Sequence, residues 1–380
     1  MIDFSTLQGL AIPEGVVTQI ESGGVVIWAL ANDVPVVLEV AKITSDTYAS
    51  ETTYTDEEFV LLDIYPKTAS STVEVTYGNV TKTLVFSGTN AQQVFFGTFN
   101  GVSDETETPA SGTLTIEGGY SAFGNGTYKA YENSKSTTKR CKCITAITNT
   151  GNPNRIPDSA FGTSGVISGK AYPVFNTKDL PDSVVSIGSY AFYGCKNVTL
   201  GALPRKLKTI GDSAFGFCIR PSTLTIPATV ESIGDNPFRF GAVTDNQANY
   251  LEVETGSAYY RIEGNCLIEN SSNKLISGFV DSIIPNGVSA IGHYAFVDIY
   301  DLSEITIPTS VTEIATMAFW NCPYSSDFYV YLLSETPPTL ASSVFRNYSY
   351  LHIVVPVGCG DTYKAATNWS EYADKIVEAS

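Results

Sequence analysis

The side chains able to do chemistry are few, and their spacing is unpromising for catalysis. Two histidines, His293 and His352, accompany thirty-nine acids and seven cysteines. A Ser-His-Asp or Cys-His arrangement needs an imidazole beside a nucleophile, and no Gly-x-Ser-x-Gly elbow is present. Neither a P-loop nor a Gly-x-Gly-x-x-Gly phosphate cradle occurs. So many acids contain many carboxylate pairs, but no spacing marks two of them for glycoside cleavage. Cys141 and Cys143 form one Cys-x-Cys without a second pair at zinc-finger spacing. The acidic groups around Asp56, Glu57 and Glu58 and around Asp104, Glu105 and Glu107 lack the alternation of a calcium loop and read as solvated faces. The expectation is a chain with no enzymatic activity, no metal and no cofactor. What remains is recognition. Thr199, Thr223, Thr225, Glu304 and Thr306 fall at outward positions of short alternating runs, and Tyr324, Tyr329, Tyr331, Tyr348 and Tyr350 supply aromatics of the kind enriched at binding hot spots. Threonine also suits any solvated strand face and some of these tyrosines are expected in the core, so both sets compete with a purely structural reading.

The elements that must position these residues repeat. LPDSVVSIGSYAFYGC (180–195) returns as LPRKLKTIGDSAFGFC, IPATVESIGDNPF, IPNGVSAIGHYAF and IPTSVTEIATMAFWNC. Each copy has Ile or Leu before Pro, Ile six residues after that Pro and Phe eleven after it. Pro181, Pro204 and Pro227 are 23 apart, as are Pro285 and Pro308, whereas 58 residues separate Pro227 from Pro285 and contain an insertion. Such a period means a stacked solenoid. Alternating runs before the prolines (Leu224-Thr225-Ile226, Ile305-Thr306-Ile307, and the weaker Val198-Thr199-Leu200) read as short strands that Pro terminates. Gly188, Gly211, Gly234 and Gly292 follow the Ile and are expected to permit a tight bend. Cys195, Cys218 and Cys322 share one repeat position beside Phe and read as core.

These Ile-Pro, Ile-Gly, Ala-Phe and Cys positions resemble the BspA-like leucine-rich repeat family over the C-terminal part of the chain. Two copies depart from the pattern, with Pro237 in place of Ala and Val297-Asp298-Ile299 lacking the Cys. Residues 251–279 are similar to the extra β-hairpin unit that interrupts such arrays, and residues 353–376 look like the family's closing strand and helix. The resemblance implies a solenoid over 144–380, an insertion about 241–282, a cap about 340–380, and a surface-displayed adhesion or recognition role toward host or neighbouring-cell proteins or glycans.

The net charge of −17 is uneven, with −3 in residues 1–30, −10 in 31–120 and −4 in 121–380. An acidic first third repels phosphate backbones, so nucleic acid is not expected as a partner. No run of eighteen apolar residues suggests membrane insertion. Residues 1–32 read as an attachment or oligomerisation hairpin, with Val16, Val17, Ile20, Val25, Ile27 and Trp28 as its apolar residues and a turn through Ser22, Gly23 and Gly24. Six strand-like runs in 33–120 predict an immunoglobulin-like β-sandwich. Residues 121–143 read as a linker, and a degenerate first repeat is expected in 144–175.

The overall fold class is therefore mainly β: hairpin, sandwich, solenoid and cap. The N-terminus resembles structural proteins of phages of gut Firmicutes, and the opening MIDFSTLQGLAIPEG has neither a basic start nor an apolar h-region. The expected function is a virion structural protein on the particle surface. Its hairpin would join identical chains or other virion proteins, and its solenoid a host surface protein or glycan. The alternative is a bacterial cell-surface adhesin.

Overall fold

The computed structural model describes residues 17–19, 29–30, 36–41, 53–99, 102–103, 111–125, 130–132, 135–150, 153–162, 175–177, 180, 182–195, 198–218, 223–239, 251–323, 327–346 and 349–380. Almost every element is a strand. Val17–Gln19 pairs antiparallel with Ala29–Leu30 in a register centred near residues 23 and 24, where the hairpin turn is expected. Val16, Ile20, Val25, Ile27 and Trp28 lie outside the described residues.

The immunoglobulin-like sandwich forms because period-two alternation gives each strand one apolar face. One sheet carries Val80–Val85, Thr72–Tyr77, Ser111–Gly118 and Val36–Ala41; the other carries Thr53–Pro66, Gln92–Phe99 and Val102–Ser103. Val60, Leu62 and Ile64 face Val73, Val75, Tyr77, Leu114 and Ile116 in one core, and the Tyr77 ring meets Phe96 across it at 5.7 Å.

A single long strand, Lys135–Thr150, joins the two sheets. Its first half runs parallel to residues 53–60, and its second half runs antiparallel to Val36–Ala41. The described residues of 121–143 thus lie in strands rather than in a linker, and 144–150 pair with the sandwich rather than with a first repeat. The sequence reading missed this because the polar residues of KSTTKR leave no apolar period, while pairing on both sides by other strands supplies the order.

Tyr120–Asn125 is the hinge of the architecture. It pairs with residues 62–66 of the sandwich and also covers the first turn of the solenoid. Phe123 packs edge-on against Phe161 at 6.3 Å, the Asn154 amide donates to the Ser121 carbonyl at 2.9 Å, and the Arg155 guanidinium lies 4.4 Å over the Tyr65 ring. The sandwich therefore caps the stack, which a solenoid needs at its open end.

From Arg155 onward each turn stacks on the last. Arg155–Ile156, Ser186–Ile187, Thr209–Ile210 and Ser232–Ile233 form one parallel sheet, and Ala290–Ile291, Glu313–Ile314 and Thr339–Leu340 continue the pattern beyond the insertion. The Ala-Phe turns form a further ladder. Amides of Tyr190, Phe192 and Gly194 donate to carbonyls of Asp212, Ala214 and Gly216 one turn on. Inside, Phe161, Phe192, Phe215 and Phe238 stack at 5.4–5.9 Å, as do Phe296, Phe319 and Phe345 at 5.0–5.4 Å.

The glycines after Ile serve a different purpose from the one expected. The bend itself is made two residues later, by left-handed Tyr190, Ser213, Asn236 and Tyr294. At Gly211 an added Cβ would meet the backbone of Gly188 and Ser189 at 2.4–2.8 Å, so glycine there lets neighbouring turns approach.

The insertion starts later than expected, since Leu251–Val253 still pairs in parallel with Leu224–Ile226. Tyr260–Glu263, Cys266–Glu269 and Lys274–Ser277 then form an antiparallel set whose last strand pairs with Ala290–Ile291. Its last two strands carry buried residues on both faces. Leu267 and Ile276 join the core of the sandwich and first turns, while Cys266, Ile268 and Leu275 join the core of the later turns. At the far end, helix Gly360–Ala365 and the 3-10 turn Trp369–Tyr372 close the stack, with Trp369 Nε1 donating to the Pro338 carbonyl at 2.8 Å and Tyr372 packing edge-on against Phe345. Among the described residues, no helix is long and apolar enough to cross a membrane.

Candidate recognition face

Strands Glu304–Ile307, Phe328–Leu332, Leu351–Val355 and Ile376–Glu378 make one parallel sheet near the C-terminal end. Alternation decides which side chains leave the core. Ile305, Ile307, Phe328, Val330, Leu332, Ile353 and Val355 point inward and are buried. The register then aligns Glu304 with Tyr329 and His352 in one outward row, and Thr306 with Tyr331, Val354 and Val377 in the next. Four of the expected ligand-binding residues, Glu304, Thr306, Tyr329 and Tyr331, are thereby brought together.

The face is ordered. Tyr331, Tyr329 and His352 stand as parallel plates, at 6.2 Å and 15° for the tyrosine pair and 4.6 Å and 14° for Tyr329 with His352. His352 Nε2 lies 3.2 Å from Asp327 Oδ1, which fixes the imidazole at the end of the stack. The arrangement presents ring edges, phenol groups and two carboxylates, with the apolar Tyr331–Val354–Val377 row beside them. It holds a rigid pattern of donors, acceptors and apolar edges without an activated nucleophile. His352 and Asp327 were missed in the sequence, although the alternation of DFYVYL and LHIVV carries the signal.

The remaining expected residues do not converge on this face. Thr199 is aligned with Asn176, and Thr225 with Glu252, whose carboxylate lies 3.5 Å from the Thr225 hydroxyl; these pairs sit in two separate small sheets. Thr223 is exposed just before its strand, and Tyr324 and Tyr348 lie outside the described residues. The threonine row expected to run along all repeats is therefore broken, because the described strands before the prolines do not join into one sheet.

The repeat cysteines are core. Cys195 and Cys218 donate their thiols to the carbonyls of Phe161 and Phe192 at 3.1 Å, and Cys322 does the same to Phe296. Burial pushes the Cys218, Cys266 and Cys322 thiols up to about 12. Among the described residues, no group of three His, Cys, Asp or Glu could hold a metal.

The family model described as "BspA type Leucine rich repeat region" matches in six copies over residues 171–248 and 268–359. Among solved structures, a leucine-rich repeat protein from Eubacterium ventriosum is 20% identical with a TM-score of 0.37, over 56% of this chain and 60% of that one. The chain thus spans less than two thirds of that protein's length. The pneumococcal vaccine antigen PcpA is 17% identical with a TM-score of 0.34, over 60% of this chain and 70% of its own. A leucine-rich cell surface protein from Faecalibacterium prausnitzii is 16% identical with a TM-score of 0.34, over 62% and 84%. No curated protein matches the chain. Residues 171–248 and 268–359 thus match the BspA-type leucine-rich repeat model, and the 23-residue period and the stacked Ala-Phe turns accord with that match.

Proposed function

We propose that this chain is a non-enzymatic recognition protein that presents the outward rows of its last sheet to a ligand on a host-cell or mucosal surface. The observation that carries this reading is the in-register alignment of Glu304, Tyr329 and His352 beside Thr306 and Tyr331. A prepaid, rigid arrangement of side chains loses little entropy on binding, which favours recognition. The reading invokes no cofactor, and acidity over the first third disfavours nucleic acid. The N-terminal hairpin joins identical chains or other virion proteins, and the chain is carried on a phage particle. That setting rests on the N-terminal resemblance. The BspA-type repeats favour a second setting, a bacterial cell-surface adhesin binding host proteins or glycans.

Two measurements test this. Binding of the full chain to immobilised mucin and to intact bacterial cells is expected to fall at least tenfold in the double variant Tyr329→Ala, Tyr331→Ala. Unchanged binding removes the sheet face as the contact. Light scattering of the full chain beside a version lacking residues 1–30 tests the setting. A defined oligomer that becomes monomeric on truncation supports assembly through the hairpin, and two monomers favour the free-standing adhesin.

A further inference from the structure

The two ends of the sandwich's strand path differ in length. One is Val102–Ser103, two residues long; the other is Val80–Val85, six residues long. Val80–Val85 pairs one-to-one with Thr72–Tyr77 and has no bulge to twist it away. The Phe86 amide, which donates to the Ser71 carbonyl at 2.9 Å, fixes the bonding phase of the pair. In an antiparallel ladder, opposed residues alternate between exchanging both hydrogen bonds and exchanging none. Val80, Lys82 and Leu84 therefore bond to Tyr77, Val75 and Val73, and the backbone groups of Thr81, Thr83 and Val85 point away from the sheet. The Val85 carbonyl accepts from Gln92 Nε2 at 3.2 Å. Among the described residues, the amides and carbonyls of Thr81 and Thr83 have no partner on that side.

An open edge pairs with another chain unless a proline, a bulge, a charge or a cover blunts it. Val80–Val85 contains no proline, and its edge-facing Thr81, Thr83 and Val85 are uncharged and exposed, Val85 to 68%. The one charge in the strand, Lys82, folds under the sheet. Its Nζ donates to the Phe95 carbonyl at 2.6 Å and lies 4.6 Å from the centre of the Phe95 ring. An inward charge guards an edge when an added strand would bury it without an acceptor; Lys82 already has one. The surroundings select the occupant. On the outer face Thr83 lies opposite Glu74, and Glu74 lies directly opposite Glu117. Both carboxylates are exposed, and no ion pair among the described residues includes either. Like charges in this relation destabilise a sheet. Residues 31–120 carry −10 in all, so a second copy would bring the same acidic sheet to the edge. On the inner face Val80 and Leu84 are only partly buried.

We propose that the outer edge of Val80–Val85 receives an extended segment of a partner protein as a further strand, with Lys or Arg on its outer face and apolar residues on its inner face. The Thr81 and Thr83 backbone groups supply the ladder, and alternate side chains supply specificity. A cation beside Thr83 reaches over the threonine to Glu74 and offsets its repulsion with Glu117. The apolar residues between complete the cover of Val80 and Leu84. This edge belongs to the sandwich and is independent of the aromatic face near the C-terminal end.

The probes are two fluorescein-labelled octapeptides, one alternating Lys and Val, the other alternating Glu and Val. By anisotropy the full chain should bind the first and not the second, and amide exchange at Thr81 and Thr83 should slow on binding. Thr83→Pro should weaken binding at least tenfold, since proline is tolerated at an edge position whose N–H faces solvent but cannot donate to an added strand. The double variant Glu74→Gln, Glu117→Gln leaves the backbone edge intact. It should weaken binding at least threefold while raising the unfolding temperature, a combination that lost folding would not give. No binding of the Lys-Val peptide, equal binding of the Glu-Val peptide, protection at other amides only, or unchanged binding in the Gln variant each overturns the assignment. Slowed exchange at Thr81 and Thr83 in the peptide-free chain as its concentration rises would put a second copy on the edge, and overturns it too.

Discussion

At the scale of residues, environment separates groups of the same type. Cys195, Cys218 and Cys322 fill one column of the stack and donate to carbonyls of the preceding turn, whereas Cys359 is partly exposed beside the closing helix. A thiol needs deprotonation to react, and burial opposes it. Maleimide labelling of the native protein at pH 8, read by peptide mapping, should modify Cys359 well before Cys195, Cys218, Cys266 or Cys322. Equal rates for Cys322 and Cys359 would refute the buried column.

Glu378 shows the opposite shift. It accepts from the Gly358 and Gly360 amides at 3.0 and 2.9 Å, and these bonds hold its carboxyl below the ordinary glutamate range. A depressed folded-state pKa gives stability that is present above the unfolded value and lost as pH falls through the folded one. Acidification below the ordinary glutamate range should loosen the turn before the closing helix. Glu378→Gln should show this loosening already at neutral pH, with faster amide exchange at Gly358 and Gly360.

At the scale of elements, the solenoid is held by columns rather than by individual strands. Two-residue strands are too short to persist alone, and each Phe of the stack contributes to both adjoining turns. Phe161 matters most for the arrangement of the molecule, because it lies between Phe192 of the next turn and Phe123 of the sandwich. Phe161→Ala should cost about 3–5 kcal/mol. It should also raise protease sensitivity between the sandwich and the first turn, which Phe345→Ala, at the far end, should not. Cleavage patterns identical in the two variants would argue against the capping role of residues 120–125.

At the scale of the whole molecule, the hairpin insertion is a partition. Adjacent residues of one strand, Leu267 and Ile268, serve different cores, the first with the sandwich and early turns and the second with the late turns and cap. Leu267→Ala and Ile268→Ala should each cost about 2–5 kcal/mol. Hydrogen exchange should place the lost protection before the insertion in the first variant and after it in the second. Uniform loss in both would mean a single cooperative core.

The sequence alone determined the repeat, its 23-residue register, the inward Ile, Phe and Cys columns, the hairpin pairing and most sandwich strands, because each leaves a local period or a turn signal. It also supplied Glu304 and Thr306 as outward residues and Tyr329 and Tyr331 as aromatics suited to binding. Only the tertiary structure decided that these four share a face with His352 and Asp327, since register between strands more than twenty residues apart leaves no local mark. The same holds for the described residues of 121–143, placed in strands by pairing rather than by a period of their own. It holds too for Arg239, which reaches Asp298 across the insertion, a contact that stacking creates and spacing along the chain conceals.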